Sequence, residues 1–358
     1  MSGAANPLAA LHLLDQAARF SRWGRPRAAI EAYHQACAAP LDAAARYSAL
    51  IGLARSLDSI GESERAIDTC QEAIRTSPDQ SPAYGILALL LMREGQLDQA
   101  ATAASDACLR DNRSPAMPCL AASIALRRGR VDEAIEAASA ALDRDPRNQR
   151  AHALRAIAEA WRDGDSDERD ISRLVRVSEP PLPAGFPSMD MFNRTLAEAV
   201  RTHEILEPNE SGGPLVKGAR LHNIFALAPA LADALRAMFL SEARLYAVRF
   251  PSEIAPQLAV RGWANIMEAG AYEEPHIHEG GWLSGVYYPQ LPGPGGEGGE
   301  IVFGPHDLGP MVPSPVPYRV SPAVGQMIMF PSWLYHSTRP FAGAGFRISV
   351  AADILQSA

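Results

Sequence analysis

Apolar positions follow two rhythms along this chain, and the change between them divides it. Through the first 164 residues Ala and Leu recur at helical spacing, broken by Gly and Pro at fixed offsets. GESERAIDTCQEAIRTSP, GQLDQAATAASDACLRDN and GRVDEAIEAASAALDRDP begin at Gly61, Gly95 and Gly129, 34 residues apart each time. Ala66 and Ala73 recur as Ala100 and Ala107, then as Ala134 and Ala141, and Pro78 recurs as Pro146. An earlier, slightly longer unit, GRPRAAIEAYHQACAAP, starts at Gly24. Glycine suits a tight turn between two helices, alanine lets helices approach closely, and proline ends a helix. The pattern predicts helix pairs over residues 10–148 and a capping helix near Gln149–Trp161.

After the first half the rhythm shortens. Helices are predicted at Met191–His203 and Ala228–Phe239, with a turn-rich loop at Asn209–Pro214 between them. From there the apolar runs are strand-like: RLYAVRF, LAVRGWANIMEAG, WLSGVYYPQLP, GEIVFGP, GQMIMFPSWLYHS and FRISVAADI. Proline supports the division, with 8 in residues 1–164 and 21 in the remainder. The resulting expectation is a multi-domain α + β chain. An all-α solenoid with its capping helix occupies 1–164, a linker 165–190, and an all-β sandwich or barrel with flanking helices 191–358. The fixed Gly-Ala-Ala-Pro offsets resemble tetratricopeptide repeats. That resemblance implies a groove that binds a peptide or protein partner, or else docks onto the rest of the same chain.

Charge narrows the partners. The net charge is −8, and residues 165–358 carry 21 acids against 14 bases. Nucleic-acid affinity needs clustered cations, so no nucleic-acid partner is expected. No apolar run approaches the ~18 residues that span a bilayer. The N-terminus lacks a basic segment before its apolar stretch, so no signal peptide is read. Cys37, Cys70, Cys108 and Cys119 form no CxxC pair and read as buried helix thiols in a reducing, cytoplasmic setting. Oligomeric state is not legible.

The candidate chemistry lies in the histidines. His276 and His278 stand two apart in EPHIHE, so on a strand both side chains face one way and can share a metal. His336, in FPSWLYHS, is the candidate third ligand, and imidazole suits Fe, Zn, Cu or Ni. His306 sits in a Gly-Pro loop and reads as surface, as the remaining histidines read as structural or exposed.

The stretch from about Arg261 to Asp353 resembles the double-stranded β-helix, a jelly-roll or cupin-like fold, of the 2-oxoglutarate- and Fe(II)-dependent oxygenases. The phrases HIHEGGWLSGVYYPQ, FPSWLYHSTRPF and FRISVAADI carry the likeness. The resemblance implies Fe(II), 2-oxoglutarate and O2, with 2-oxoglutarate decarboxylated to succinate as a C–H bond is hydroxylated. It assigns His276 and His336 to metal positions, and Arg347 with Ser349 to the far carboxylate of 2-oxoglutarate. It also assigns Asn265 to cosubstrate contact. Tyr288 shares strand parity with His278 and offers a hydroxyl, or Tyr287 does if a bulge shifts the face. Trp282 and Trp333 are substrate-wall candidates, and the loop holding Glu297 and Glu300 is a lid candidate.

One departure matters. The superfamily's third ligand is ordinarily a carboxylate, and here that position is His278. Three readings stand: a three-histidine set, a substitute acid at Glu279 or Glu274, or a site for another metal or for no catalysis. The expected function is hydroxylation of a peptide or protein side chain. The alternatives are a three-histidine cupin-type enzyme without 2-oxoglutarate, and a non-catalytic repeat scaffold with a metal-stabilised β-domain.

Overall fold

A computed structural model describes residues 7–164, 168–208, 213–248, 257–293 and 298–356. The chain forms two compact units, 1–146 and 147–358.

The first unit holds α1 (Pro7–Arg22), α2 (Pro26–Ala38), α3 (Ala43–Asp58), α4 (Ser63–Thr76), α5 (Ser81–Arg93), α6 (Leu97–Arg110), α7 (Ala116–Arg127) and α8 (Val131–Arg144). They pair in sequence order as the repeat predicted. Gly24, Gly61, Gly95 and Gly129 each turn one helix into its partner at φ between +66° and +79°, where any other residue is strained. Ala66, Ala73, Ala100, Ala107, Ala134 and Ala141 are fully buried at the helix contacts. Arginines at the ends of the second helices reach back one repeat: Arg110 donates to the Pro78 carbonyl and Arg144 to those of Asp111 and Ser114. The period read from the sequence is therefore also a period of hydrogen bonds.

The second unit runs α9 (Gln149–Asp163), α10 (Glu168–Leu174), β1 (Arg176–Ser178), α11 (Met189–Arg201), β2 (Glu207–Pro208), β3 (Leu215–Leu221), α12 (Pro229–Ala247) and β4 (Leu258–Glu273). It continues through β5 (Leu283–Gln290), β6 (Ile301–Phe303), β7 (Tyr318–Val320), β8 (Met327–Pro331), β9 (His336–Thr338) and β10 (Arg347–Gln356). The expected capping helix forms as α9 and groups with this unit. Residues 165–190, read as a linker, contain α10 and β1, and β1 pairs with β8. The loop expected at Asn209–Pro214 lies largely outside the described residues.

One expected strand is corrected. RLYAVRF begins inside α12, because Leu235, Met238, Phe239, Glu242, Ala243 and Tyr246 continue a buried helical stripe to its end. The strand-like alternation of the segment lost to that periodicity.

The strands form two antiparallel sheets, β1-β8-β5-β10-β4-β3-β2 and β7-β6-β9. Alternation along β10 decides which residues face which layer. Ile348, Val350, Ala352 and Ile354 join Ala264, Ile266, Leu283, Tyr287, Met327 and Met329 in a core shared with Phe192, Leu196, Leu235 and Phe239 of α11 and α12. The opposite parity turns inward. Val286, Tyr288, Ile328 and Phe330 there meet Ile301, Phe303 and Val320 of the small sheet. Arg347, Ser349, Ala351 and Asp353 share this inward parity, opposite Met267, Asn265, Trp263 and Arg261 of β4. Polar residues on the inner face of a closed double sheet have to satisfy one another or a ligand.

Candidate metal centre

His276, His278 and His336 converge. Among the described residues they form one group whose ligand atoms all lie within 4.8 Å of one another. Their approach is a matter of backbone pairing. β4 ends at Glu273, and His276 then makes a single antiparallel bridge to His336, each N–H donating to the other's carbonyl at 3.0 Å. The His278 N–H donates to the Ser332 carbonyl at 2.9 Å. The histidine pair therefore lies in an extended segment beyond the strand, yet both rings turn the same way as alternation requires.

Each imidazole is held by its Nδ1. His276 Nδ1 lies 2.7 Å from the Glu274 carbonyl, and His336 Nδ1 3.0 Å from that of Leu334. A carbonyl only accepts, so both Nδ1 atoms carry the proton and both Nε2 lone pairs are free. His278 Nδ1 lies 2.7 Å from Asp353 Oδ1, which turns its Nε2 toward the other two rings. His278 Nε2 and His276 Nε2 are 3.2 Å apart. Burial, followed by the repulsion of the other two rings, holds His336 well below the ordinary histidine range. Burial likewise lowers His276, with Glu273 opposing it. Two rings held below the ordinary histidine range and a third turned toward them by Asp353 suit a divalent first-row metal, since ligation needs deprotonated imidazole. Glu274 gives the site only its backbone, and the side chain of Glu279 pairs with Arg150 at 2.9 Å. Neither belongs to the ligand group.

Toward the other end of the inner face lies Arg347, 2% exposed. Its Nη1 donates to the Gly299 carbonyl at 2.6 Å and its Nη2 to the Tyr288 hydroxyl at 3.3 Å. Its Nε is buried and has no partner. A buried guanidinium with an unused donor suits an incoming carboxylate, which accepts from two nitrogens at once. Burial raises the Tyr288 phenol, with Arg347 opposing it, so Tyr288 stays protonated beside the cation. Tyr287 points the other way and donates to Asn193 Oδ1 at 2.5 Å. Ser349 is buried and directly opposite Asn265. The Asn265 amide is committed elsewhere: Oδ1 accepts from Arg220 Nε at 2.8 Å, and Nδ2 donates to Glu273 Oε1 at 3.0 Å.

Trp282 packs at the edge of the α11–α12 core and Trp333 against the inter-sheet core. The indole beside the histidines is that of Trp263, 5.2 Å from the His278 ring. His306 rests against Tyr335, outside the group. Glu297 lies outside the described residues, and Glu300 sits 4.0 Å from Arg339.

Sequence reasoning missed Asp353, Ser284, Arg220, Glu273 and Trp263. For Asp353 the signal was available: parity with Arg347 and Ser349 puts an acid on the inner face of FRISVAADI. Arg220 had no such signal, because β3 was not anticipated.

A helical repeat unit and a two-sheet unit holding three convergent imidazoles define the class. The comparisons agree. Tetratricopeptide-repeat family models match residues 10–112 and 119–168, and the model described as “Putative 2OG-Fe(II) oxygenase” matches residues 261–353. The chain thus joins tetratricopeptide repeats to a domain of that oxygenase family. No curated protein matches the chain. Similar solved structures include MamA from Desulfovibrio magneticus RS-1, at 17% identity over 44% of this chain and 86% of that one, with a TM-score of 0.40. TTC0263, a tetratricopeptide-repeat protein of Thermus thermophilus, gives 19% identity over 46% and 89%, with a TM-score of 0.36. YrrB gives 18% over 42% and 76%, with a TM-score of 0.37.

Proposed function

We propose that the chain is a 2-oxoglutarate- and Fe(II)-dependent dioxygenase that hydroxylates a peptide or protein side chain in the cytoplasm, its repeats binding the substrate or a partner. The observation that carries this reading is the pairing of two features on one inner face. Three Nε2 atoms converge, and a buried arginine offers an unpartnered Nε. His276, His278 and His336 would hold the metal, and Arg347 would take the far carboxylate of the cosubstrate. When bound, iron and 2-oxoglutarate supply the oxidising power that breaks an unactivated C–H bond. The chain's own part is to orient and to exclude water. Nδ1 bonds fix all three rings, Phe303 and Phe330 pack about His336, and Tyr288 and Gly299 hold the guanidinium in place.

Anaerobic addition of Fe(II) and then 2-oxoglutarate, followed by visible absorption, tests the reading without a substrate. The expected result is a metal-to-cosubstrate charge-transfer band, absent in His336→Ala. Iron binding with no band would refute the 2-oxoglutarate assignment and leave a three-histidine enzyme or a scaffold.

A further inference from the structure

Two of the three ring Nδ1 atoms meet a backbone carbonyl two residues earlier in the chain, and the third does not. His278 Nδ1 meets the Asp353 carboxylate, 75 residues away on β10. We propose that Asp353 is a positioning residue that replaces, one bond further out, the carboxylate this ligand set lacks. It fixes His278 as an Nε2 ligand and lends negative charge to the metal through that imidazole. The inference rests on the metal-centre reading and deepens it.

The surroundings of Asp353 fit this role. The residue is 1% exposed, and an isolated buried carboxylate is costly unless donors meet it. Oδ1 takes His278 Nδ1 and, at 3.0 Å, the Ser284 hydroxyl; Oδ2 takes Arg261 Nη2 at 2.9 Å. Ser284 Oγ also lies 2.9 Å from His278 Nδ1 and 2.8 Å from Ser332 Oγ. Arg261 is largely solvated, so its charge offsets the buried one only weakly.

The backbone is shaped to allow the contact. A Cβ on Gly281 would stand 2.5 Å from Ser332 Oγ and 3.1 Å from Asp353 Cβ, and one on Gly280 2.8 Å from Arg261 Nη2. The two glycines after His278-Glu279 thus let the turn close over the carboxylate. A carboxylate behind a ligating imidazole fixes its tautomer and raises its basicity. Here it also answers a charge deficit, because three neutral imidazoles cancel none of the charge of a dication.

Fe(II) affinity of the full chain, measured anaerobically with the thermal midpoint of each apoprotein, tests the proposal. Asp353→Asn is expected to weaken Fe(II) binding about 10–100-fold. It should also move the charge-transfer band to shorter wavelength, since iron that has lost a donor is harder to oxidise. His278→Asp restores a carboxylate ligand and sets two carboxylates side by side. In that background Asp353→Asn should leave Fe(II) affinity unchanged or tighten it. Equal weakening in both backgrounds means a general structural role and overturns the proposal, as does wild-type affinity in Asp353→Asn. Should Asp353→Asn not fold, Ser284→Ala keeps the charge, removes one orienting donor and should cost about fivefold in affinity; no loss there overturns the proposal too. Wild-type protein that binds no Fe(II) overturns the metal-centre reading itself, an outcome distinct from these.

Discussion

Replacing Arg347 tests the cosubstrate half of the site most directly. The guanidinium is buried, spends one nitrogen on Gly299 and one on Tyr288, and keeps Nε in reserve. A carboxylate gripped by this fork gains charge-assisted hydrogen bonds of about 1.5–3 kcal/mol each. Arg347→Gln removes the charge and the fork, so a loss of about 3 kcal/mol is the conservative expectation, or roughly 150-fold in 2-oxoglutarate affinity. Arg347→Lys keeps the charge and one directed donor, and about tenfold is expected. The assay is the charge-transfer band titrated with 2-oxoglutarate at saturating Fe(II). A control is required, because truncation also strands the Gly299 carbonyl and the Tyr288 hydroxyl, each buried polar group costing about 1–3 kcal/mol. The thermal midpoint and Fe(II) affinity of each variant must therefore be measured beside the band. Arg347 makes no bond to the three histidines, so Fe(II) affinity should hold. If folded, iron-replete Arg347→Gln binds 2-oxoglutarate within threefold of wild type, the assignment of Arg347 is wrong.

The repeats offer a contrast between two glycines. Gly95→Ala meets nothing within 4 Å but must keep φ at +73°, so a conformational cost of about 1–2 kcal/mol should appear in urea melts followed by far-ultraviolet dichroism. Gly52→Ala has an ordinary φ but drives its new methyl into the Tyr33 ring; about 1–3 kcal/mol is expected, and Tyr33→Leu should relieve part of it. Equal costs with and without Tyr33 would count against that contact. In the second unit Glu242 is buried and bonded to Arg176 and Ser178. Arg176→Met should cost about 3 kcal/mol, and Arg176→Met with Glu242→Leu less, by thermal melting. The lowered His336 and His276 also set a pH dependence for metal-free protein. Unfolding frees both rings to take protons near the ordinary histidine value. Their contribution is thus complete above that value and falls away as pH drops below it toward the depressed folded values. A metal-free midpoint that stayed flat across that window would contradict the burial of these rings.

The sequence exposed the first unit almost completely, because its information is local. A turn glycine and two packing alanines repeat within each unit, a terminating proline recurs in most of them, and no distant contact is needed to interpret them. The clustering of the three histidines was legible for a related reason. Alternation placed His276 with His278, and parity with His278 put Tyr288 ahead of Tyr287; in the structure Tyr288 meets Arg347. The losses share one cause, which is register between strands far apart in sequence. Arg220 reaches Asn265 only because β3 pairs with β4, and no local pattern announced β3. Asn265 itself was assigned to the cosubstrate, and its amide proves committed to Arg220 and Glu273.

Asp353 carries the point further. Local reading found a carboxylate missing at position 278 and looked for a substitute beside it, at Glu279 or Glu274. Glu274 is exposed and offers only its backbone carbonyl, and Glu279 lies in the turn and spends its charge on exposed Arg150. The acid that faces His278 instead occupies the inward parity of β10, brought there by ten consecutive pairs with β4 and a second ladder to β5. A deficit at one position was therefore met by an acid distant in sequence and adjacent in space. In a double sheet whose inner face admits few charges, parity on the facing strand is a better guide to a missing acid than proximity in the chain.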